Sequence, residues 1–313
     1  MSTEALVPAR QGELQAVSDG LDRLFRASIA PATYRLYERA LTALDEALGS
    51  QPVTDQALAE YLAGLHAAGR APATIAIVPA AVRFRAKLED QPSPAGPLTA
   101  RAMAGIRREG RDRGRGQAQG VGFSKADAAA VLAAAQGGLG GLRDAALILT
   151  ASDGLLRVSE VAALEVGDVT AEEDGSGRLQ VRRSKTDQEG RGAVLFLGEE
   201  TLRRVQAWTA AAGLADGPLF RRVFGNRRVG DRPLSTVAIR KIIQRWAAAV
   251  GVEGRVSGHS LRIGGAQSLA AGGATLVELQ TEGRWQSPEM PGHYTRGQAA
   301  AQGAVARIRY GRR

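Results

Sequence analysis

The chain of 313 residues is 44% hydrophobic and carries a formal net charge of +9. Its length and apolar content are enough for a buried core and favour two domains over one, while the positive charge predicts a polyanionic partner, either nucleic acid or an anionic membrane surface. The absence of cysteine excludes a disulfide framework, a thiolate nucleophile and a cysteine-based zinc site.

The start of the chain gives no sign of membrane targeting. The first thirty residues contain acidic side chains and lack the apolar stretch of a signal peptide. No run of 18 apolar residues follows, so the sequence predicts no membrane span. We therefore expect a soluble, intracellular protein.

The first part of the chain is typical of a set of short helices. One is predicted over 32–48, one from a capping Thr54 and one from Pro72, which Pro79 should kink or end. A further short helix follows Thr99. The segment 107–116 is charged, rich in glycine and without apolar periodicity, which predicts an interdomain linker.

The pattern changes after this linker. Ser124 and Asp127 have the spacing of a capping box that opens a helix to Ala135. Further helices are predicted over 142–151, 157–164, 199–212, 236–250, 260–271 and 275–283. Three strands are predicted over 166–170, 178–183 and 193–197, with turns at Asp174-Gly175 and Glu189-Gly190. The sequence therefore predicts a mainly α fold with one small antiparallel β-sheet.

Three short motifs contain side chains suited to cutting a phosphodiester. Arg157 lies where a loop enters a helix, and His259 and Arg262 lie three residues apart near another helix start. Tyr294 follows Trp285 by nine residues. Transesterification needs a nucleophile, cations around the phosphate oxygens and an acid for the leaving oxygen. Each motif is weak alone, since a tryptophan beside apolar helices is usually a core residue.

Taken in order, these residues resemble the active-site set of the tyrosine recombinase or phage integrase family: Arg157, Lys185, His259, Arg262, Trp285 and Tyr294. Tryptophan at position 285 makes the set most similar to Cre-type recombinases, since many relatives have histidine there. The similarity spans at least residues 142–296. It implies a two-domain DNA clamp, with a helical, SAM-like core-binding domain over 1–106, a basic linker over 107–121 and an α+β catalytic domain with a C-terminal helix over 122–313.

The resemblance also implies a role for each residue. Tyr294 attacks the phosphate to form a 3′-phosphotyrosine, Arg157 and Arg262 clamp the phosphate, and Lys185, on a predicted hairpin, is the general acid. His259 either assists proton movement at the tyrosine or donates to a phosphate oxygen. Trp285 either donates its indole N–H to the phosphate or packs against the tyrosine helix. Glu160 resembles the carboxylate that orients active-site side chains, and the rival nucleophile Tyr310 lacks a tryptophan at the matching spacing.

By the same resemblance we expect no cofactor, no metal and no membrane partner. The expected partners are a double-stranded DNA target site with inverted-repeat arms and three further copies of the chain. The four copies would form a homotetramer on two sites, held together by the tail 298–310. The reaction would pass through a Holliday junction. Such a protein would be cytoplasmic and nucleoid-associated, of prokaryotic, phage or plasmid origin. Two alternatives remain: a type IB topoisomerase or telomere resolvase, and a catalytically inactive DNA-binding protein.

Overall fold

The computed structural model describes residues 24, 28–112, 120–135, 137–182, 192–225, 227–297 and 308–311. The chain divides into two compact units, Met1–Ala118 and Gln119–Arg313. Within the described ranges, no helix combines the length and the apolar character needed to cross a bilayer.

The first unit is helical throughout its described part. Its helices are α1 (Pro31–Leu48), α2 (Asp55–Ala67), α3 (Pro72–Ile75), α4 (Ile77–Leu88) and α5 (Pro97–Asp112). Aliphatic and thioether side chains from all five meet in one core, whose buried members are Leu44, Leu58, Leu62, Ile75, Val78, Val82, Met103 and Ile106. The predicted helices of this region are therefore present, and their apolar faces pack together.

Helix boundaries in this unit follow capping and proline chemistry. The Thr54 hydroxyl accepts a hydrogen bond from the backbone N–H of Ala57 at 3.1 Å, which confirms the predicted cap. The prediction that Pro79 kinks or ends the third helix agrees with a break at Ala76, one turn before Pro79. Pro79 cannot donate to the Ile75 carbonyl four residues back, and it lies in the first turn of α4, where a helix needs no N–H from it.

Helix α5 differs from the prediction at both ends. It begins at Pro97, two residues before the predicted Thr99, and continues to Asp112. Residues 107–112, predicted as linker, are therefore helical. The rest of that predicted segment, 113–119, lies outside the described residues.

The second unit combines helices with two small sheets. Its described helices are α6 (Lys125–Ala134), α7 (Gly138–Asp153), α8 (Val158–Ala163), α9 (Glu199–Ala212), α10 (Thr236–Ala249), α11 (Ser260–Ala271), α12 (Leu276–Gly283) and α13 (Glu289–Tyr294). Its described strands are β1 (Val169–Ala171), β2 (Gly177–Val181), β3 (Ala193–Leu197), β4 (Arg221–Phe224) and β5 (Arg228–Pro233). The predicted mainly α fold with antiparallel strands is confirmed.

The first sheet is antiparallel in the order β1-β2-β3, with Leu179 paired to Val169 on one side and to Leu195 on the other. The first predicted strand begins instead as a 3-10 turn, Val166–Asp168. The second sheet is the hairpin of β4 and β5, which the sequence did not predict. The connection from β2 to β3, with the predicted turn at Glu189-Gly190, falls in 183–191, outside the described residues.

Helix α7 lies at the centre of the second unit, with an almost continuous run of buried residues along its length. Trp208 is fully buried and donates its indole N–H to the Leu219 carbonyl at 2.8 Å, as is usual for a tryptophan in a core. Trp246 is partly buried and donates to Asp144 Oδ2 at 2.9 Å.

A glycine contact fixes helix α11 against the start of this unit. A Cβ atom built on Gly264 would lie 1.8 Å from the carbonyl oxygen of Phe123, a backbone atom that cannot move aside. Phe123 in turn donates its N–H to the Ser260 carbonyl at 2.8 Å. Only glycine allows this approach, which sets the position of the helix that carries Arg262.

Candidate active site

The start of helix α8 positions Arg157. Its backbone N–H donates to Glu160 Oε2 at 2.9 Å, and its Nη1 donates to Glu160 Oε1 at 2.7 Å. The Glu160 side chain is 1% exposed and the Arg157 side chain 13% exposed. The buried Glu160 carboxylate therefore fixes both the start of the helix and the Arg157 guanidinium. Nε and Nη2 of Arg157 take no part in the ion pair with Glu160.

Arg262 projects from the first turn of α11 and is 2% exposed. Its two terminal nitrogens donate to the carbonyl oxygens of Leu155 and Gly283. Its guanidinium carbon lies 4.2 Å from the centre of the Trp285 ring, which is a cation–π contact. Two segments that are distant in sequence, one at Leu155 and one at residues 283–285, thus hold this cation in one place.

Burial and like charges act together on Arg262. Loss of water lowers its pKa, and the neighbouring charges of Arg157 and Arg284 lower it further, to about 9. A pKa of 9 still leaves the group protonated at neutral pH. The site therefore concentrates positive charge in a place largely shielded from water, which is the arrangement that stabilises a phosphate group.

Trp285 and Tyr294 lie against each other beside these arginines. Their ring centroids are 5.9 Å apart with the planes tilted by 54°. Together with Leu155 and Ala266 they form a small apolar cluster. The backbone carbonyl of Tyr294 accepts a hydrogen bond from Gln267 Nε2 at 3.1 Å, so a side chain of α11 holds the backbone of this tyrosine.

The environment of Tyr294 has opposing effects on its phenol. Burial raises the pKa of Tyr294 above the usual value of 10, and the charges of Arg262 and Arg157 act in the opposite direction. Burial prevails, so the phenol is protonated at neutral pH. The two cations are nonetheless close enough to stabilise a phenolate as it forms.

The remaining predicted residues are placed differently. His259 occupies the N-cap position of α11, and its side chain is exposed. Its backbone N–H donates to Ser257 Oγ at 3.2 Å. Lys185 lies in 183–191, outside the described residues. Tyr310, the rival nucleophile, is 69% exposed. Of the six predicted residues, the structure brings together Arg157, Arg262, Trp285 and Tyr294.

Two neighbours of this cluster were not anticipated from the sequence. The ring of His293, the residue before Tyr294, lies 6.0 Å from the Tyr294 ring. Arg284 donates to Glu160 Oε2 at 3.0 Å and to the Gly154 carbonyl at 3.1 Å. Its position directly before Trp285 is the one sequence signal that could have drawn attention to it.

Comparison with known proteins gives a consistent result. The model of the phage integrase family matches residues 123–300, which is more than half of the chain. The chain is 28% identical over 222 residues to Recombinase cre of Escherichia phage P1, covering 66% of this chain and 65% of that protein. It is 34% identical over 146 residues to Tyrosine recombinase XerC of Pelotomaculum thermopropionicum, covering 45% of each. The matches thus span less than two thirds of these relatives.

Solved structures of low sequence identity share the fold. One is XerH site-specific recombinase bound to a palindromic difH substrate, with a TM-score of 0.67 at 16% identity, covering 88% of this chain and 80% of that one. Another is a lambda integrase dimer bound to a COC′ core site, with a TM-score of 0.62 at 17% identity, covering 89% of this chain and 93% of that one. At such identities these likenesses establish the fold.

Proposed function

The chain belongs to the phage integrase family, the tyrosine recombinases, and from this membership we propose that it is a site-specific DNA recombinase acting through a 3′-phosphotyrosine. The observation that carries the proposal is the placement of Tyr294 beside the cation cluster, with the Trp285 ring in contact with both Arg262 and Tyr294. A half-buried phenol lies within the field of Arg157 and Arg262, and both cations favour its ionised form. This pairing of a nucleophile with phosphate-binding groups is what strand cleavage requires.

In the proposed cleavage step, the Tyr294 oxygen attacks the scissile phosphorus and loses its proton. The bond between phosphorus and the 5′-oxygen breaks, and that oxygen is protonated as it leaves. Arg157 and Arg262 offset the negative charge that grows on the phosphate oxygens. A 5′-hydroxyl from another duplex then reverses the step. Because the phosphotyrosine ester conserves the energy of the phosphodiester, neither ATP nor a metal is needed.

Two roles are assigned by resemblance and supported by residue chemistry. We assign Lys185 as the acid that protonates the leaving 5′-oxygen, because a lysine with its ordinary pKa near 10.4 carries a proton at neutral pH. His259, exposed at the N-cap of α11, is assigned to proton movement or to a phosphate oxygen. For Trp285, the contacts with Arg262 and Tyr294 favour a packing role, since one ring touches both groups.

The proposed partners follow from the same family. They are a duplex target with inverted-repeat arms and further copies of this chain, four on two sites, with a Holliday junction between the two strand exchanges. The DNA-bound XerH and lambda integrase structures and the net charge of +9 support a duplex partner. The tail 298–307, which the sequence assigns to assembly, lies outside the described residues.

A plasmid assay tests the proposal against its alternatives. A supercoiled plasmid carrying two copies of a duplex selected for binding is incubated with the protein, and the products are separated by size and by supercoiling. Recombinant circles are the expected products. Relaxed plasmid without recombinants would instead indicate a type IB topoisomerase, and unchanged plasmid that remains bound would indicate a catalytically inactive DNA-binding protein.

A further inference from the structure

Arg284 occupies an unusual backbone position for a large side chain. It follows the last residue of α12 with φ of +54°, in the left-handed region that glycine adopts without strain. Its side chain is 13% exposed, and its Nε is buried without a hydrogen-bond partner among the described residues. Strained backbone and buried cations persist where a function depends on them.

The other strained residue of this region is in contact with it. Leu155 has φ of +45°, and its carbonyl oxygen accepts from Arg262 and, at 3.5 Å, from Nη2 of Arg284. Two backbone conformations that are rare for side-chain-bearing residues therefore meet at the phosphate-binding cluster. The neighbouring Gly154 carbonyl binds Nη1 of Arg284 at 3.1 Å.

The main partner of Arg284 is the carboxylate that also holds Arg157. Glu160 Oε2 accepts from Nη2 of Arg284 at 3.0 Å and from the Arg157 backbone at 2.9 Å, while Oε1 accepts from Nη1 of Arg157 at 2.7 Å. One buried carboxylate is thus shared by two guanidinium groups. If Arg284 were absent, the single negative charge of Glu160 would act on Arg157 alone.

The charges of the cluster show what this sharing achieves. Three guanidinium groups, those of Arg157, Arg262 and Arg284, and one carboxylate, that of Glu160, give a net charge of +2. A scissile phosphodiester carries one negative charge, and a second develops in its pentacoordinate transition state. Without Arg284 the net charge of these four side chains would fall by one, which leaves less positive charge to offset the negative charge that develops in the transition state.

We propose that Arg284 is a positioning residue, which holds Glu160 and offsets its charge so that Arg157 presents a full positive charge to the scissile phosphate. This inference rests on the proposed function. It deepens that function by giving a group outside the predicted active-site set a defined part in the cleavage step.

The test compares Arg284→Gly with Glu160→Gln/Arg284→Gly. Glycine relieves the backbone strain but removes the ion pair with Glu160 and the hydrogen bonds to two carbonyls, so the unfolding temperature of the variant is measured first and cleavage is assayed well below it. The single variant's rate of covalent adduct formation on a nicked duplex, under single-turnover conditions, should fall roughly tenfold or more. The double variant should recover several-fold of that loss, because the carboxylate that would otherwise offset the charge of Arg157 is replaced by a neutral amide that can still accept hydrogen bonds from Arg157. Arg204→Ala, which removes the exposed partner of Glu200 on α9, is the matched control and should cleave at the wild-type rate.

A second readout requires no cleavage. Inorganic phosphate should raise the unfolding temperature of the wild type and of Arg204→Ala, and Arg284→Gly should need a several-fold higher phosphate concentration for the same rise. Equal adduct rates for the wild type and Arg284→Gly, or a double variant no faster than the single one, would overturn the inference. If the wild type forms no adduct, the proposed function fails, and equal phosphate responses would then overturn the Arg284 inference independently.

Discussion

At the scale of single residues, two opposing effects act on the pKa of the Tyr294 phenol: its burial and the charge of two guanidinium groups. Burial raises the pKa of Tyr294, while Arg262 and Arg157 lower it by a smaller amount. The free protein thus keeps its nucleophile protonated until the proton is removed during the reaction. The raised pKa also affects folding. The contribution of Tyr294 to stability is complete below its unfolded value near pH 10 and is lost as the pH rises through the higher folded value.

This balance predicts how cleavage depends on pH. The phenolate fraction grows about tenfold per pH unit below the pKa, so adduct formation should accelerate from about pH 6 to pH 8, below the pKa of about 9 at which Arg262 begins to lose its charge. Arg157→Gln removes one of the two cations that favour the phenolate, so its rate should be lower throughout this range. Single-turnover rates on one nicked duplex at fixed ionic strength provide the measurement. A wild-type rate independent of pH would contradict this account of the phenol.

At this scale the sequence predicted four residues that the structure brings together, but not the side chains that hold them in place. Arg157, Arg262, Trp285 and Tyr294 were recognisable because their order and spacing form a pattern. Arg284 was missed because its contacts depend on a left-handed backbone, which neither residue type nor periodicity predicts. The approach of His293 to Tyr294 likewise depends on how the short helix α13 ends.

At the scale of elements, the site is built at helix ends and on one tightly packed helix. Arg157 precedes α8, His259 caps α11, Arg284 follows α12 and Tyr294 ends α13. Helix ends leave backbone groups without partners inside the helix, and side chains of the site bind several of the carbonyls near them. The precision of this arrangement depends on how closely α11 approaches Phe123.

Gly264→Ala tests that approach. The added methyl group overlaps the Phe123 carbonyl, and separating the two segments should lower the free energy of unfolding by about 3 kcal/mol. Gly167→Ala, in the same unit, adds a methyl group with no other atom within 4 Å, so the free energy of unfolding should change by less than about 0.5 kcal/mol. Urea unfolding of both variants gives the comparison. A Gly264→Ala protein as stable as the wild type would show that α11 is not held in this way.

Elements with strong local signals were predicted best. Helices α9 and α11 were predicted to the residue, and Ser124 and Ser235 cap α6 and α10 as expected. The β4–β5 hairpin was missed because its strands are rich in arginine and lack the alternation of apolar and polar residues that marks a strand. The effect of Pro79 was also predicted, with the break three residues before it because a proline disrupts the hydrogen bond to the carbonyl four residues back.

At the scale of the whole molecule, charge is the property that bears most directly on partners. The chain has 41 basic and 32 acidic residues, a balance suited to a polyanion. Family membership and shared fold are consistent with duplex DNA as that polyanion. The two compact units correspond in number to the two predicted domains, and their arrangement around DNA remains a prediction.

The duplex partner predicts a steep salt dependence of binding. A protein that neutralises on the order of ten phosphates should show a slope near −9 when the logarithm of the binding constant is plotted against that of the salt concentration. Fluorescence anisotropy with the Tyr294→Phe variant measures this without interference from cleavage. A slope shallower than about −3 would mean that few phosphates are contacted, contrary to an enclosing duplex interface.

The central claim is that Tyr294 is the nucleophile, and a denaturing gel tests it most directly. The wild type, Tyr294→Phe and Tyr310→Phe are each incubated with a nicked suicide duplex, in the presence of a chelator and without ATP. The account predicts a covalent protein–DNA adduct for the wild type and for Tyr310→Phe, and none for Tyr294→Phe. An adduct that persists in Tyr294→Phe, or no adduct from wild-type protein that binds the duplex, would contradict it.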